Sequence, residues 1–247
     1  MSRLTHSIRH HVCLTGPSIR RLANPVLASG WEVPLAARWR HPLLAPDRII
    51  STVPALISLA EKPTLEGELV LLRPVQEADA SGLAGLDPET LRLTGSQGTP
   101  SLAALQEWYR SRAEHQDRLD LSIIEKATGE WAGEVVLNDL NPENRSCGFR
   151  ILLAGPHYFD RGLGSEATLL ILRYAFETVG IHRIELDVYA FNPRARHVYE
   201  RIGFLHEGTK RQALLWGRDW VDAHVMAMLE QDWSRHRPSS VPALDER

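Results

Sequence analysis

Three strand-like runs separated by very short turns constrain this chain more than any other feature. They read "LDLSIIEK" (119–126), "WAGEVVLNDL" (131–140) and "CGFRILL" (147–153), each rich in aliphatic or β-branched residues. The turns between them, "ATGE" and "NPENR", leave no room for a helix. A parallel connection needs a crossover of about a dozen residues or more, so these runs can pair only as an antiparallel meander.

The rest of the chain is arranged around that meander. "GELVLLRPV" (67–75) reads as a leading strand, and "EADASGLAGL" as a short helix with Asp79 near its start. In "SLAALQEWYRSRAEH", Leu102, Leu105 and Trp108 or Tyr109 recur at helical spacing behind Ser101, a good N-cap. "GSEATLLILRYAFETVG" puts Ala167, Leu170, Ile171, Tyr174 and Ala175 on one helical face and stops at Gly180. "IHRIELDVYA" is a strand. "NPRARHVYERIG" is a helix with Asn192 as N-cap, Pro193 in its first turn and Gly203 at its end. "FLHEGTKRQALLW" and "DWVDAHVMAML" close the series as two more strands. This order predicts an α+β domain over residues 64–235, built on a mixed sheet.

Residues 1–60 follow a different pattern. Prolines and arginines interrupt every short apolar run, as in "GPSIRRLANPVLASGWEVP". They are expected to form a basic arm, poorly ordered or loosely docked, and Val53 is an alternative start site. Residues 236–247 are expected to be a C-terminal tail. The arm holds seven Lys/Arg against two Asp/Glu, whereas residues 61–247 hold 21 against 29. The basic charges are scattered and form no compact stripe, which argues against a nucleic-acid partner. No apolar run reaches the ~20 residues of a membrane span, and the N-terminus lacks the apolar core of a secretory signal. Cys13 and Cys147 are far apart and offer neither metal-ligand spacing nor a disulfide framework. That usage fits a reducing cytoplasm.

After the meander comes "FDRGLGSEA" (159–167), with two glycines at the start of a helix. Glycine costs a helix interior about 1 kcal/mol relative to alanine, so something is gained. A glycine turn at a helix N-terminus is an anion site: unpaired N–H groups point outward, the dipole favours negative charge, and no Cβ blocks the approach. Arg161 and Ser165 would add donors. A lone G-x-G is more often a tight turn with no ligand. The phosphate-loop motif G-x-x-x-x-G-K-[ST] is absent, and the glycines come too late for a dinucleotide fold.

Thirty residues further on, "NPRARHVYERIGF" combines Asn192, Ala195, Tyr199, Gly203 and Phe204. Together the two stretches resemble the GNAT superfamily of N-acetyltransferases. In that family Q/R-x-x-G-x-G/A at a helix start is followed by a helix reading N-x-x-A-x-x-x-Y-x-x-x-G-F. "GELVLLRPVQEADA", "GFRILLAGPHYFDRGLGSEA" and "RIELDVYAFNPRARHVYERIGF" are most similar to its ribosomal-protein N-acetyltransferase branch.

The resemblance covers about residues 64–235. It implies a mixed, mostly antiparallel sheet splayed between its fourth and fifth strands, with helices on both faces and acetyl-CoA in the opening. Carried over by position, Ile151, Leu152 and Leu153 offer backbone partners to the pantetheine arm. Arg161, Gly162, Leu163, Gly164 and Ser165 hold the pyrophosphate; Asn192 lies near the pantetheine and Tyr199 near the sulfur. Arg194 and Arg196 either meet the CoA phosphates or face solvent. Phe159 stands where many members have Gln or Arg. Asp160 stands where glycine is common, and is expected to point away or to pair with Arg161.

The implied activity is direct transfer of an acetyl group to a primary amine, with no metal. A protein or peptide N-terminus is the expected acceptor. A small amine such as an antibiotic or polyamine is the alternative, and a non-catalytic acetyl-CoA-binding module a further one. A homodimer is left open. The chemistry needs an oxyanion donor, a base for the amine and an acid for the thiolate. Tyr199 is the expected acid. Glu134, Glu185, His197 and Asp222 are the base candidates, with Glu134 on the "WAGEVVL" strand taken first. A nucleophilic Cys147 would need an adjacent histidine, which the sequence does not place.

Overall fold

The computed structural model describes residues 57–98 and 100–237. Residues 1–56, including Val53, and the tail from residue 238 lie outside the described residues. The packed chain nonetheless begins ahead of residue 64. Leu59 is fully buried in the main core, and its N–H donates to the Gln116 carbonyl at 2.9 Å. The Lys62 ammonium donates to the carbonyls of Leu59, His115 and Arg118 at 2.6, 2.8 and 2.5 Å, fixing this entry segment to the loop before the meander.

Two short strands, β1 (Leu65–Glu66) and β2 (Val70–Pro74), open the sheet. Three helices follow, α1 (Ala80–Ala84), α2 (Pro88–Leu93) and α3 (Leu102–Arg112). Helix α2 is not among the expected elements. Its signals are local and clear once seen: the Asp87 carboxylate accepts the N–H groups of Glu89 and Thr90, and Pro88 occupies the first turn. Ser101 caps α3 as expected, but Leu102 is exposed, so Leu105 and Tyr109 form the buried stripe.

The meander is present as β3 (Leu119–Glu125), β4 (Trp131–Asn141) and β5 (Ser146–Leu153), antiparallel throughout. Helix α4 (Leu163–Arg173) continues through one wider turn over Tyr174–Val179, and Gly180 at φ +79° ends it. Then come β6 (Arg183–Tyr189), α5 (Pro193–Ile202), β7 (Leu205–Trp216), β8 (Asp219–Leu229) and α6 (Glu230–His236). Helix α6 falls mostly inside the expected domain and partly in the expected tail. Its Trp233 is buried against Phe176, rings 5.9 Å apart.

Among the described residues the sheet has eight strands, ordered β1-β2-β3-β4-β5-β6-β8-β7. Every neighbouring pair is antiparallel except β5–β6, which is parallel. That parallel ladder covers only Ser146–Gly148 against Arg183–Glu185. Beyond Gly148 the two strands part, and β5 runs on to Leu153 with β4 as its one strand partner. This is the expected splay, shifted one place in strand count by the two-residue β1.

Alternation along the strands sorts two unlike faces. Leu72, Leu121, Ile123, Val135, Leu137 and Phe149 join Leu163, Ala167, Leu170 and Ile171 of α4 in one apolar core. Each fully buried aliphatic side chain there contributes about 1.5–3 kcal/mol. The opposite face meets α1 and α3. A small cluster of Ala80, Leu105 and Tyr109 seals it, and polar groups fill the seam beneath.

Candidate active site

The start of α4 sits directly against the end of β5. Gly162 has φ +84°, a conformation in which a side chain would be strained. That turn leaves the N–H groups of Leu163, Gly164 and Ser165 without partners among the described residues, at the positive end of the helix. Leu163 offers only its backbone, because its side chain is buried in the core. Gly164 brings the helix close: a Cβ there would stand 3.3 Å from Leu153 Cδ1, a tight contact from which that side chain would have to shift.

The charges around this turn differ from the expected arrangement. The Arg161 guanidinium binds Glu125, a carboxylate that is 2% exposed, and so braces the loop to β3. Asp160, at φ +57°, does not pair with Arg161; it is exposed and lies 3.8 Å from the Arg194 guanidinium. That guanidinium also stacks over the Phe159 ring, 3.6 Å from its centroid. The cation beside the helix start is therefore Arg194, delivered by α5. Glu166, in the first turn, spends its carboxylate on the N–H groups of Glu68, Leu69 and Val70, each at 2.8 Å. A side chain at Gly67 would collide with that carboxylate at 2.5 Å.

Across the splay, Asn192 has both ends of its amide occupied. Its oxygen caps α5 through the Ala195 N–H at 3.1 Å, and its nitrogen donates to the Leu93 carbonyl at 3.3 Å. It fixes the entry to α5 and ties α5 to α2. Tyr199, seven residues on, is buried edge-on to Phe149 of β5 and to Phe204, ring centroids 6.1 and 5.8 Å away. Burial pushes its phenol well above the usual range, so the hydroxyl stays protonated.

On the other face of the sheet, Glu134 pairs in register with Leu152, the middle of the three β5 residues along the opening. A bulge sets its backbone. The β3–β4 register shifts between Ile123 and Ile124, and Gly133 adopts φ +148°, where a Cβ would lie 2.0 Å from the Leu152 carbonyl oxygen. The Tyr109 hydroxyl donates to Glu134 Oε2 at 2.7 Å. Oε1 has no hydrogen-bond partner among the described residues. Desolvation raises the Glu134 pKa; the Tyr109 hydrogen bond opposes this, Asp120 adds to it, and Arg150 and Arg118 oppose it.

The seam beside Glu134 is fully charged. Asp79 binds Arg73 through both oxygens and accepts from the Ser122 hydroxyl at 2.7 Å. Arg118 binds Asp120 through two nitrogens, and Arg112 stacks on Trp108 at 3.8 Å. The remaining base candidates do not meet there. Glu185 is exposed beside Arg183, and His197 is exposed on α5. Asp222 accepts the Gln212 N–H at 2.7 Å, holding an irregularity in the β7–β8 ladder. Cys147 is buried in the core, with no histidine in that core among the described residues, and burial pushes its thiol up to about 12. It is a poor nucleophile in that setting.

Comparison with known proteins agrees with this geometry. The model of the acetyltransferase (GNAT) domain matches residues 70–205, and the chain belongs to that family. A spermidine N(1)-acetyltransferase from Vibrio cholerae is 34% identical over 135 residues, 54% of this chain and 76% of the relative. "Putative ribosomal N-acetyltransferase YdaF" from Bacillus subtilis is 26% identical over 179 residues, covering 67% and 94%. A GCN5-related N-acetyltransferase structure from Brucella melitensis superposes with TM-score 0.61 at 26% identity, covering 72% of this chain and 83% of that one. The spermidine N-acetyltransferase of Vibrio cholerae in complex with CoA and spermine shares the fold, with TM-score 0.63 at 22% identity.

The protein is thus an N-acetyltransferase with acetyl-CoA as donor. The unpartnered N–H groups at α4, the glycine-permitted approach to β5 and the open β5 edge fit such a donor. Among the described residues no helix is long and apolar enough to cross a membrane, and no cluster of three or more His, Cys, Asp or Glu is placed to hold a metal.

Proposed function

We propose that this chain acetylates the α-amine of a protein or peptide N-terminus, with Glu134 as the base and Tyr199 as the acid. The observation that carries the acceptor assignment is the charge around Glu134. Arg118 is taken up by Asp120, but Arg150, which acts on the Glu134 carboxylate, and Arg112, in the same seam, pair with no carboxylate among the described residues. An N-terminus brings one amine flanked by carbonyl oxygens, which suit guanidinium donors. A polyamine brings several positive charges that these groups repel.

Acetyl-CoA supplies the acetyl group as an activated thioester. Glu134 Oε1, free of other hydrogen bonds, takes the proton from the amine. A backbone N–H on the open edge of Ile151–Leu153 supports the developing oxyanion. Tyr199 gives its proton to the departing sulfur. The free N–H groups of Gly164 and Ser165, with Arg194, hold phosphate, while Arg161 keeps the loop in place through Glu125.

A small polyamine is the second reading, favoured by the spermidine acetyltransferases among the relatives. A panel of short peptides with free N-termini, run against spermidine and spermine, separates the two. Higher kcat/KM for peptides supports the N-terminal reading, and higher kcat/KM for spermidine supports the second.

Two further outcomes are expected. Arg194→Ala should weaken CoA binding about tenfold in a calorimetric titration, the loss of one charge-assisted contact. Unchanged affinity would make Arg194 a surface residue only. We also propose that the acetyltransferase domain needs nothing ahead of Val53. Protein beginning there should fold and bind CoA with the parent's affinity, and a folded product without CoA affinity would place a ligand contact in the arm.

A further inference from the structure

We propose that Tyr109 is the positioning residue of this active site: its hydroxyl holds Glu134 Oε2 and so leaves Oε1 turned to the acceptor amine. Tyr109 is 2% exposed and sits at the centre of the cluster that joins α1 to α3. Its ring packs in one cluster with Ala80 and Leu105, and the Trp108 ring lies 5.3 Å away. Its single polar atom reaches across to β4 and meets one carboxylate oxygen at 2.7 Å.

The geometry around the pair is over-determined from both sides. The Gly133 bulge fixes where Glu134 leaves the strand. The cluster fixes where the phenol ends. With Oε2 engaged by the phenol, Oε1 is the carboxylate oxygen left without a hydrogen bond and so the one to take up a proton. A hydrophobe at 109 would pack equally well, so packing alone does not explain the hydroxyl. Nor is the phenol a proton source, since burial and the neighbouring Glu134 charge both push its pKa up, far from any working pH.

The charged groups facing the pair are few and named. Asp79 on the α1 side and Asp120 on β3 bear on the phenol, while Arg118 just ahead of β3, Asp120 on β3 and Arg150 on β5 bear on the carboxylate. Arg112 on α3 lies within reach of Glu134 as well. Asp79 and Asp120 are each paired with an arginine, through two oxygens apiece. Removing the Tyr109 hydroxyl therefore alters the one direct hydrogen bond to Glu134 and leaves these charges in place.

This inference rests on Glu134 as base, but its test does not depend on turnover. Protein carrying glutamate labelled with 13C at the side-chain carboxyl is titrated by NMR, and the Glu134 resonance is assigned by its absence in Glu134→Gln. Tyr109→Phe should move the Glu134 midpoint upward by about one pH unit, because a hydrogen bond to the charged form is lost. A midpoint unchanged in folded Tyr109→Phe overturns the proposal. A second variant covers poor folding of the first. Replacing Tyr109 by 3-fluorotyrosine keeps the ring and makes the hydroxyl a stronger donor, so the midpoint should move downward. A residue that only packs would move it in neither direction, and that result also overturns the proposal. Peptide turnover by Glu134→Gln judges the base assignment separately. Full turnover there ends both claims, whereas lost turnover with an unmoved midpoint in the Tyr109 variants ends only this one.

Discussion

Glu134→Gln should lower turnover by about 10²–10³-fold while leaving CoA affinity at the parent value. The amide keeps the size of the side chain and can still accept from Tyr109, so the seam stays packed. What is lost is the capacity to take a proton from the amine. The pH dependence should change with it. Burial raises the Glu134 pKa, so the acid limb of kcat/KM in the parent lies above the ordinary carboxylate range, and the variant should lack that limb. Stability should move the opposite way from activity. A carboxyl that binds its proton more tightly in the folded state stabilises the fold at low pH. That contribution is lost as pH rises from the unfolded pKa through the folded one. Near neutral pH the glutamine variant should therefore melt at or above the parent temperature. Turnover within a factor of about two of the parent would remove Glu134 from the mechanism.

Tyr199→Phe should slow transfer by about 10²-fold or more, again with CoA affinity retained. The phenylalanine ring keeps the edge-on contacts to Phe149 and Phe204. Only the proton for the departing sulfur disappears. Because burial holds the phenol protonated, no acid-to-neutral step in the profile is assigned to it. The defect should therefore be the same at every pH on the plateau. An unchanged rate with normal substrate would make Tyr199 a packing residue.

Sequence alone shows some of this machinery and hides the rest for identifiable reasons. The meander, the Gly162 turn, the α4 stripe and the Asn192 cap are encoded by neighbours within a few residues, and each is present as expected. Gly164 is at the right place, yet its steric reason is contact with Leu153 and Ile151, ten or more residues earlier in the chain. Arg161 directly precedes the glycines, but its partner Glu125 lies on β3, 36 residues earlier, and no local pattern announces that. Arg194 ends beside the phosphate turn through the α5 approach, across 34 residues from Asp160. Tyr109 shares a helix stripe with Leu105 and reads as core; its hydroxyl acquires meaning only when β4 brings Glu134 opposite. Helix α2 is different. Asp87, Pro88 and Glu89 spell an ordinary helix start, and that signal was available from the residues themselves.

The short β5–β6 ladder has a mechanical consequence. Three residue pairs join what are otherwise two stiff panels, β1–β5 and β6–β8. Where the backbones separate, the rings of Phe149, Tyr199 and Phe204 bridge the gap, one from β5 and two from the α5 side. They act as a spacer that sets how far the panels stand apart. The aromatic ring that carries the proposed acid is thus also a gauge block for the cleft it serves. Truncating it to alanine would let the panels shift and would confound a lost proton with a changed cleft width, whereas phenylalanine alters the chemistry at constant spacing.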